Sequence, residues 1–210
     1  MSTELPDKYT LISPDDAGKY ISEGYRRLTG SSPTPEVLLL LLAQFAGETG
    51  NGKSVHNFNM GNTKRTASSP YWQQFPCGEN DGPNGESVMY YPPNPKCHFD
   101  AYPDGYSGGE AFVKTLKRRD NWWKGLQTGD VDKFVAGLAM RPYAYFTAPP
   151  DAYLKLVKSR MAPYTASAKK YGIPSTSFGG AVFGILLGLG TAGLFVRINR
   201  RRKLAQNGRR

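Results

Sequence analysis

Cysteine and histidine are nearly missing from this chain, with two of each in 210 residues. Cys77 and Cys97 flank a turn-rich stretch, and with His56 and His98 they would number enough for one zinc site, but their spacing matches no zinc signature. What stays open for the two thiols is a disulfide closing the loop, if the domain meets an oxidising compartment, or two unpaired cysteines. No metal and no cofactor is expected. Acidic residues are missing from positions 197 to 210, where Arg197, Arg200, Arg201, Arg202, Lys203, Arg209 and Arg210 carry seven of the ten net positive charges. The three charges left over do not describe a nucleic-acid-binding body, although the tail alone suits phosphate on DNA or anionic lipid. Charge of either sign is missing from "FGGAVFGILLGLGTAGLFV", residues 178 to 196, which is as long as a helix needs to cross a bilayer. The opening "MSTELPDKYT" lacks a basic n-region and an apolar core, so no secretory signal is expected. No internal repeat is present.

What is there reads as helices, an irregular lobe, and helices again. Ser13-Pro14-Asp15-Asp16 supplies a cap, a first-turn proline and two acids, predicting a helix that ends near Gly30. Thr34-Pro35-Glu36 repeats the device ahead of an unbroken apolar run, Val37 to Leu42, which predicts a helix buried on nearly every side. From Asn57 to about Pro103 the composition turns to Pro, Gly, Asn, Tyr and Trp, with short strands expected near Tyr71 to Phe75 and Ser87 to Tyr91. Ser107 and Glu110 have the spacing of a capping box for a helix through about Arg119. Helices are expected at Trp122 to Gln127, at Asp130 to Met140, and from Asp151 toward Tyr171 with a bend near Pro163. The expected fold class is α+β, mainly α. Residues 1–171 form the domain, 172–177 a linker, 178–196 a transmembrane helix and 197–210 a basic tail. Gly180, Gly184, Gly188 and Ala192 recur every four residues of that span, a smooth face suited to self-association.

One carboxylate stands out. In "AQFAGETGNGKSVHNFNMGN", residues 43 to 62, Glu48 ends the most apolar helix and a loop of small amides follows. A carboxyl group held against apolar neighbours resists ionising, stays protonated near neutral pH and serves as a general acid for a glycosidic bond. Asn57, Asn59 and Asn62, with Gly50, Gly52 and Gly61, would let a polymer's amides and hydroxyls approach closely. Taken alone, Glu-Thr-Gly is also a common solvated last turn with a glycine cap.

The same stretch resembles the signature of the lysozyme-like peptidoglycan-cleaving superfamily, in which a helix ending A-Q-x-x-x-E-[ST]-G precedes an N-F-x-x-G-N loop. It is particularly similar to flagellar-type glucosaminidases and lytic transglycosylases. "FDAYPDGYSGGEAFVKTL" and "LAMRPYAYFTAPPDAYLKLV" resemble two further family segments in the expected order, so the likeness spans about residues 13 to 165. It implies a lysozyme-like fold with Glu48 as the catalytic acid, Asn57, Phe58, Gly61 and Asn62 in the cleft loop, and Tyr145, Phe146 and Thr147 in an aromatic strip facing the glutamate. For Tyr145 and Phe146, core packing is the alternative. No second carboxylate is recognised: Glu79, Asp81, Glu86, Asp100 and Asp104 all fall in the variable lobe. A glycosidase normally needs two carboxyls, whereas lytic transglycosylases, as the resemblance implies, use one glutamate and the substrate's own 6-hydroxyl.

The whole-chain expectation is a single-pass, membrane-anchored lytic transglycosylase acting on peptidoglycan glycan strands. The basic tail and the missing export signal suggest a phage virion protein that opens the wall during genome entry. The alternatives are a glycan-docking and membrane-conduit component, a peptidoglycan hydrolase of glucosaminidase or muramidase type, and a bacterial envelope-remodelling enzyme.

Overall fold

Helix α1 (Pro14–Thr29) begins where the Ser13 hydroxyl accepts the Asp16 amide and stops at Gly30, which takes a left-handed φ of 81°. One face of α1 carries Ala17, Ile21 and Tyr25 into the interior. Helix α2 (Pro35–Thr49), capped by Thr34, is the central element; Val37, Leu38, Leu40, Leu41, Leu42, Phe45 and Ala46 all reach the main core. Because α2 is apolar around its whole circumference, it is stable only when other helices wrap it.

These facts come from a computed structural model that describes residues 2–79, 81–82 and 86–174. The elements all belong to the unit Met1–Ile173. The expected transmembrane span 178–196, with its Gly180, Gly184 and Gly188 face, and the tail 197–210 lie outside the described residues. Among the described residues no helix is long and apolar enough to cross a membrane.

The wrapping is done by α3 (Gly105–Lys117), α4 (Asp120–Gln127), α5 (Val131–Ala139), α6 (Pro150–Met161) and α7 (Thr165–Tyr171), with a 3₁₀ turn at Ala162–Tyr164 between the last two. That turn contains Pro163, which cannot supply the hydrogen bond a continuous helix needs. Helix α3 departs from the expected capping box. Its cap is Asp104, whose carboxylate accepts the Ser107 amide at 2.9 Å, while Glu110 turns outward toward Arg27. Asp104 takes the Ser107 amide that Glu110 would accept in a capping box, and the Ser107 hydroxyl donates to its other oxygen at 3.0 Å.

Between α2 and α3 lies the expected small lobe. Strands β1 (Thr3–Glu4), β2 (Tyr71–Gln74) and β5 (His98–Asp100) form one sheet in the order β1-β2-β5, with β1 parallel to β2 and β5 antiparallel to it. A second sheet pairs β3 (Cys77–Glu79) with β4 (Val88–Tyr90), Gly78 opposite Met89. Cys77 and Cys97 are joined by a disulfide with Cα atoms 5.6 Å apart, and they form a satellite cluster with Phe99. With both thiols in that bond, neither is a zinc ligand. The architecture is mainly helical α+β with a small sheet.

Candidate active site

Glu48 stands in the last turn of α2, half-buried, four residues after Gln44 and therefore on the same helix face. Two donors meet one of its oxygens: the Tyr145 hydroxyl at 2.8 Å and the Gln44 amide at 3.0 Å both donate to Oε1. Gln44 is itself held, since the Tyr153 hydroxyl donates to its Oε1 at 3.0 Å, and Tyr153 stacks on Phe146 with ring centroids 3.8 Å apart. Tyr145 is fixed by its backbone amide on Leu138 O at 2.7 Å and by an edge contact with Trp122 at 5.0 Å. The segment after α5 is thereby locked against the end of α2.

Burial pushes the Glu48 carboxyl above the ordinary carboxylate range; the Tyr145 and Gln44 hydrogen bonds, and then the Arg160 guanidinium, pull the other way without cancelling it. The negative end of the α2 dipole also disfavours an anion there. With both donors on Oε1, the proton belongs on Oε2, which takes no side-chain hydrogen bond among the described residues. Burial likewise raises the Tyr145 hydroxyl far above its usual value, with Glu48 adding to the effect, so it remains a donor at every working pH.

The loop after α2 is built by left-handed backbone. Asn51, Asn57, Phe58 and Asn62 all have positive φ, a conformation that asparagine tolerates and phenylalanine seldom adopts. At Gly52, φ is +78° and any Cβ would run into Ile12 O, so only glycine fits. The Asn62 side-chain amide donates to the backbone carbonyl of Glu48, occupying one of the acceptors left open at the helix end.

Asn62 also lines a neighbouring cleft of about 320 Å³ with His56, Lys64 and Glu79, in whose walls Glu48 itself takes no part. The other loop residues take a different position from the one expected. Asn57 is 7 % exposed, and its amide donates to Pro6 O at 2.8 Å and Gln73 Oε1 at 2.9 Å. Asn59 is 2 % exposed; its amide donates to Thr63 O and Asp100 O, while its carbonyl accepts the Thr63 amide and hydroxyl. Both side chains brace the lobe: Asn59 has its amide and its carbonyl engaged, and Asn57 has both N–H donors engaged. Phe58 turns to the core against Tyr20, and Gly61 lies over Phe112. Tyr145 and Phe146 do reach the Glu48 network, Tyr145 directly and Phe146 through Tyr153, whereas Thr147 is exposed and makes no side-chain contact among the described residues.

Gln44, Tyr153 and Arg160 are the site residues that sequence reasoning passed over. Gln44 carried a readable signal, its four-residue spacing from Glu48 on one helix. Tyr153 and Arg160 reach the site only because α6 packs on α2. The acids of the lobe are largely committed elsewhere. Asp104 caps α3, Asp81 pairs with Lys96 at 2.7 Å, and Asp100 accepts from Ser69, Thr63 and Tyr102. Glu79 is held by Lys64 at the rim of the cleft.

Neither a protein-family model nor a curated protein matches the chain. Solved structures do. The catalytic domain of the autolysin Auto from Listeria monocytogenes is 18% identical with a TM-score of 0.50, over 77% of this chain and 90% of that one. The glycoside hydrolase domain of FlgJ from Salmonella typhimurium is 18% identical with a TM-score of 0.49, over 82% of this chain and 99% of its own. A peptidoglycan hydrolase from Sphingomonas sp. A1 is 19% identical with a TM-score of 0.47, over 70% of this chain and 92% of its own. At this level of identity the likeness to the autolysin's catalytic domain speaks for a shared fold alone.

Proposed function

We propose that this chain is an enzyme that cleaves β-1,4 glycosidic bonds of bacterial peptidoglycan, with Glu48 as its acid. The observation that carries the reading is the Glu48 carboxyl itself: half-buried, raised above the usual carboxylate range, with two donors on Oε1 and none among the described residues on Oε2. Its fold is that of an autolysin's catalytic domain, and the sequence motifs around Glu48 resemble the same superfamily.

In the first step, the neutral carboxyl gives its Oε2 proton to the glycosidic oxygen as the bond to the leaving sugar breaks. The carboxylate so formed is stabilised by Tyr145 and Gln44, which favour the charged form, and by the Arg160 charge. In the second step that carboxylate takes a proton from the attacking oxygen. In a lytic transglycosylase this is the muramic acid 6-hydroxyl, which closes an anhydro ring; this is the reading we favour, because Asp81, Asp100 and Asp104 are occupied in the structure of the lobe. One observation supports a hydrolase instead. The cleft beside Asn62 contains Glu79, held by Lys64, and a second carboxylate there would activate water.

The charge-free span 178–196 and the basic tail support placing the domain on a membrane, in a phage particle that opens the wall during genome entry. The oxidised Cys77–Cys97 pair agrees with a domain that works outside the reducing cytoplasm. A non-catalytic docking and conduit role remains the competing reading, and the carboxyl separates the two.

The test is digestion of purified peptidoglycan by the full chain, its Glu48→Gln variant and its Glu79→Gln variant, with released muropeptides identified by mass spectrometry. Anhydro-muropeptides should fall by about 10²–10⁴-fold in Glu48→Gln and persist in Glu79→Gln. Reducing-end products lost in both variants would establish the hydrolase. Release that Glu48→Gln leaves intact would end the enzymatic reading.

A further inference from the structure

Beside the glutamate network lies a second cleft, of about 260 Å³, between the start of α4 and the segment after α5. Its walls bring together Arg118, Arg119 and Arg141 with the aromatic rings of Trp122 and Tyr143. Asp120 is the acid at its rim; it is solvated, 89% exposed, and leans toward Lys124 at 3.9 Å. Among the described residues none of the three guanidinium groups takes part in an ion pair. Three unpaired like charges in one concavity repel one another, and an anion entering it relieves that repulsion. Arg119 stacks over the Tyr143 ring, with its guanidinium carbon 3.8 Å from the centroid. Stacking holds the group by its face and leaves its N–H edge free for a carboxylate in a two-point hydrogen bond.

The cleft's place in the fold indicates which anion. Trp122 lines it, Trp122 meets Tyr145 at 5.0 Å, and the Tyr145 hydroxyl is on Glu48. One aromatic pair therefore separates the basic cleft from the carboxyl assigned to bond cleavage. In peptidoglycan, each muramic acid carries on its lactyl group a peptide stem bearing free carboxylates. A strand lying at Glu48 places such a stem within reach on one side. We infer that the Arg118–Arg119–Arg141 cleft is a subsite for the carboxylates of the peptide stem, so that the enzyme selects stem-bearing strands over bare glycan. This rests on the reading of the chain as a peptidoglycan-cleaving enzyme.

The experiment has two arms, both on the full chain in detergent. In the first, kcat/KM for glycan cleavage is measured on purified peptidoglycan and on the same strands after an amidase has removed the stems. The native chain should favour stem-bearing strands by about tenfold, the scale of one charge-assisted contact. Arg119→Gln with Arg141→Gln should abolish that ratio, chiefly by raising KM on stem-bearing strands. Lysine at both positions, which keeps the charge and loses the planar fork, should recover only part of it. In the second arm, a soluble stem tripeptide and poly(glycerol phosphate) are titrated against tryptophan fluorescence, which Trp122 reports from inside the cleft.

Quenching by the tripeptide that the double glutamine variant lacks supports the inference even if neither strand is cleaved, the result that would sink the enzymatic reading alone. An unchanged cleavage ratio in the double variant, or binding of poly(glycerol phosphate) without binding of the tripeptide, overturns the inference and leaves the role of Glu48 untouched.

Discussion

The two donors on Glu48 Oε1 do opposite things to the two halves of a reaction. Each favours the carboxylate and so opposes the protonated acid that begins catalysis; each also stabilises the product of proton donation. Tyr145→Phe separates these effects. It removes a hydroxyl that lowers the Glu48 pKa while keeping the ring against Trp122. The sign is then determined: without that hydrogen bond the carboxyl stays protonated to higher pH, so the limb on which activity falls with rising pH should move upward. Below that limb the maximal rate should drop by roughly tenfold, since a donor that steadies the developing carboxylate is lost. A pH–rate profile of kcat/KM against the native chain checks both, and an alkaline limb displaced downward would contradict the assignment of Tyr145. Glu48 was legible as a lone acid at the end of an apolar helix. Tyr145 was set opposite the glutamate only by the family resemblance; its own residue pattern left core packing open, because its hydroxyl acquires a role through a contact 97 residues away in sequence.

Among the elements, α1 and α3 show how local preference and packing part company. Helix propensity favours alanine over glycine by about 1 kcal/mol in a helix interior. Gly24 in α1 nonetheless lies where an added Cβ would sit 2.5 Å from the Glu110 backbone nitrogen and 2.6 Å from the Gly109 carbonyl carbon. These are backbone atoms of the facing helix, so no side-chain rotation relieves the clash. Gly24→Ala should therefore destabilise the protein, by about 1–3 kcal/mol, although propensity alone forecasts the reverse; chemical denaturation reads the sign directly. The limits of α1 and α2 were legible because their caps are local chemistry: Ser13 and Thr34 at the starts, Gly30 and Gly50 at the ends. The capping box at Ser107 and Glu110 was misread for the same kind of reason, since Asp104, one turn earlier, competes for the same amide.

For the described molecule as a whole, the small lobe has little core of its own. Its satellite cluster is Cys77, Cys97 and Phe99, with Phe75 and Tyr90 against it. The Cys77–Cys97 bond spans 20 residues of sequence, and closing a loop of that size removes unfolded-state freedom equivalent to about 3 kcal/mol. Replacing both cysteines by serine should cost roughly that much in the denaturation of the full chain, and a reducing agent should do the same to the native chain. Because the lobe supplies the cleft wall with Lys64 and Glu79, susceptibility to proteolysis between β3 and β4 should rise in parallel. Stability indifferent to reduction would mean that the sheet contacts alone hold the lobe.

By itself the sequence determined the helical periods, the caps, the irregular lobe and the acid at the end of α2, and its motifs pointed to a lysozyme-like fold. All of these follow from interactions within a few residues or from the pattern of a single segment. Only the tertiary structure decided which asparagines brace the lobe and which one meets the glutamate helix, because burial is a property of what the chain packs against. Asn57 and Asn59 read as ligand-facing amides until Gln73, Thr63 and Asp100 take up their hydrogen bonds; Asn62 alone donates to Glu48. In the same way, the adjacent Arg118 and Arg119 came to share one cleft with the distant Arg141 only when the segment after α5 folded back beside α4.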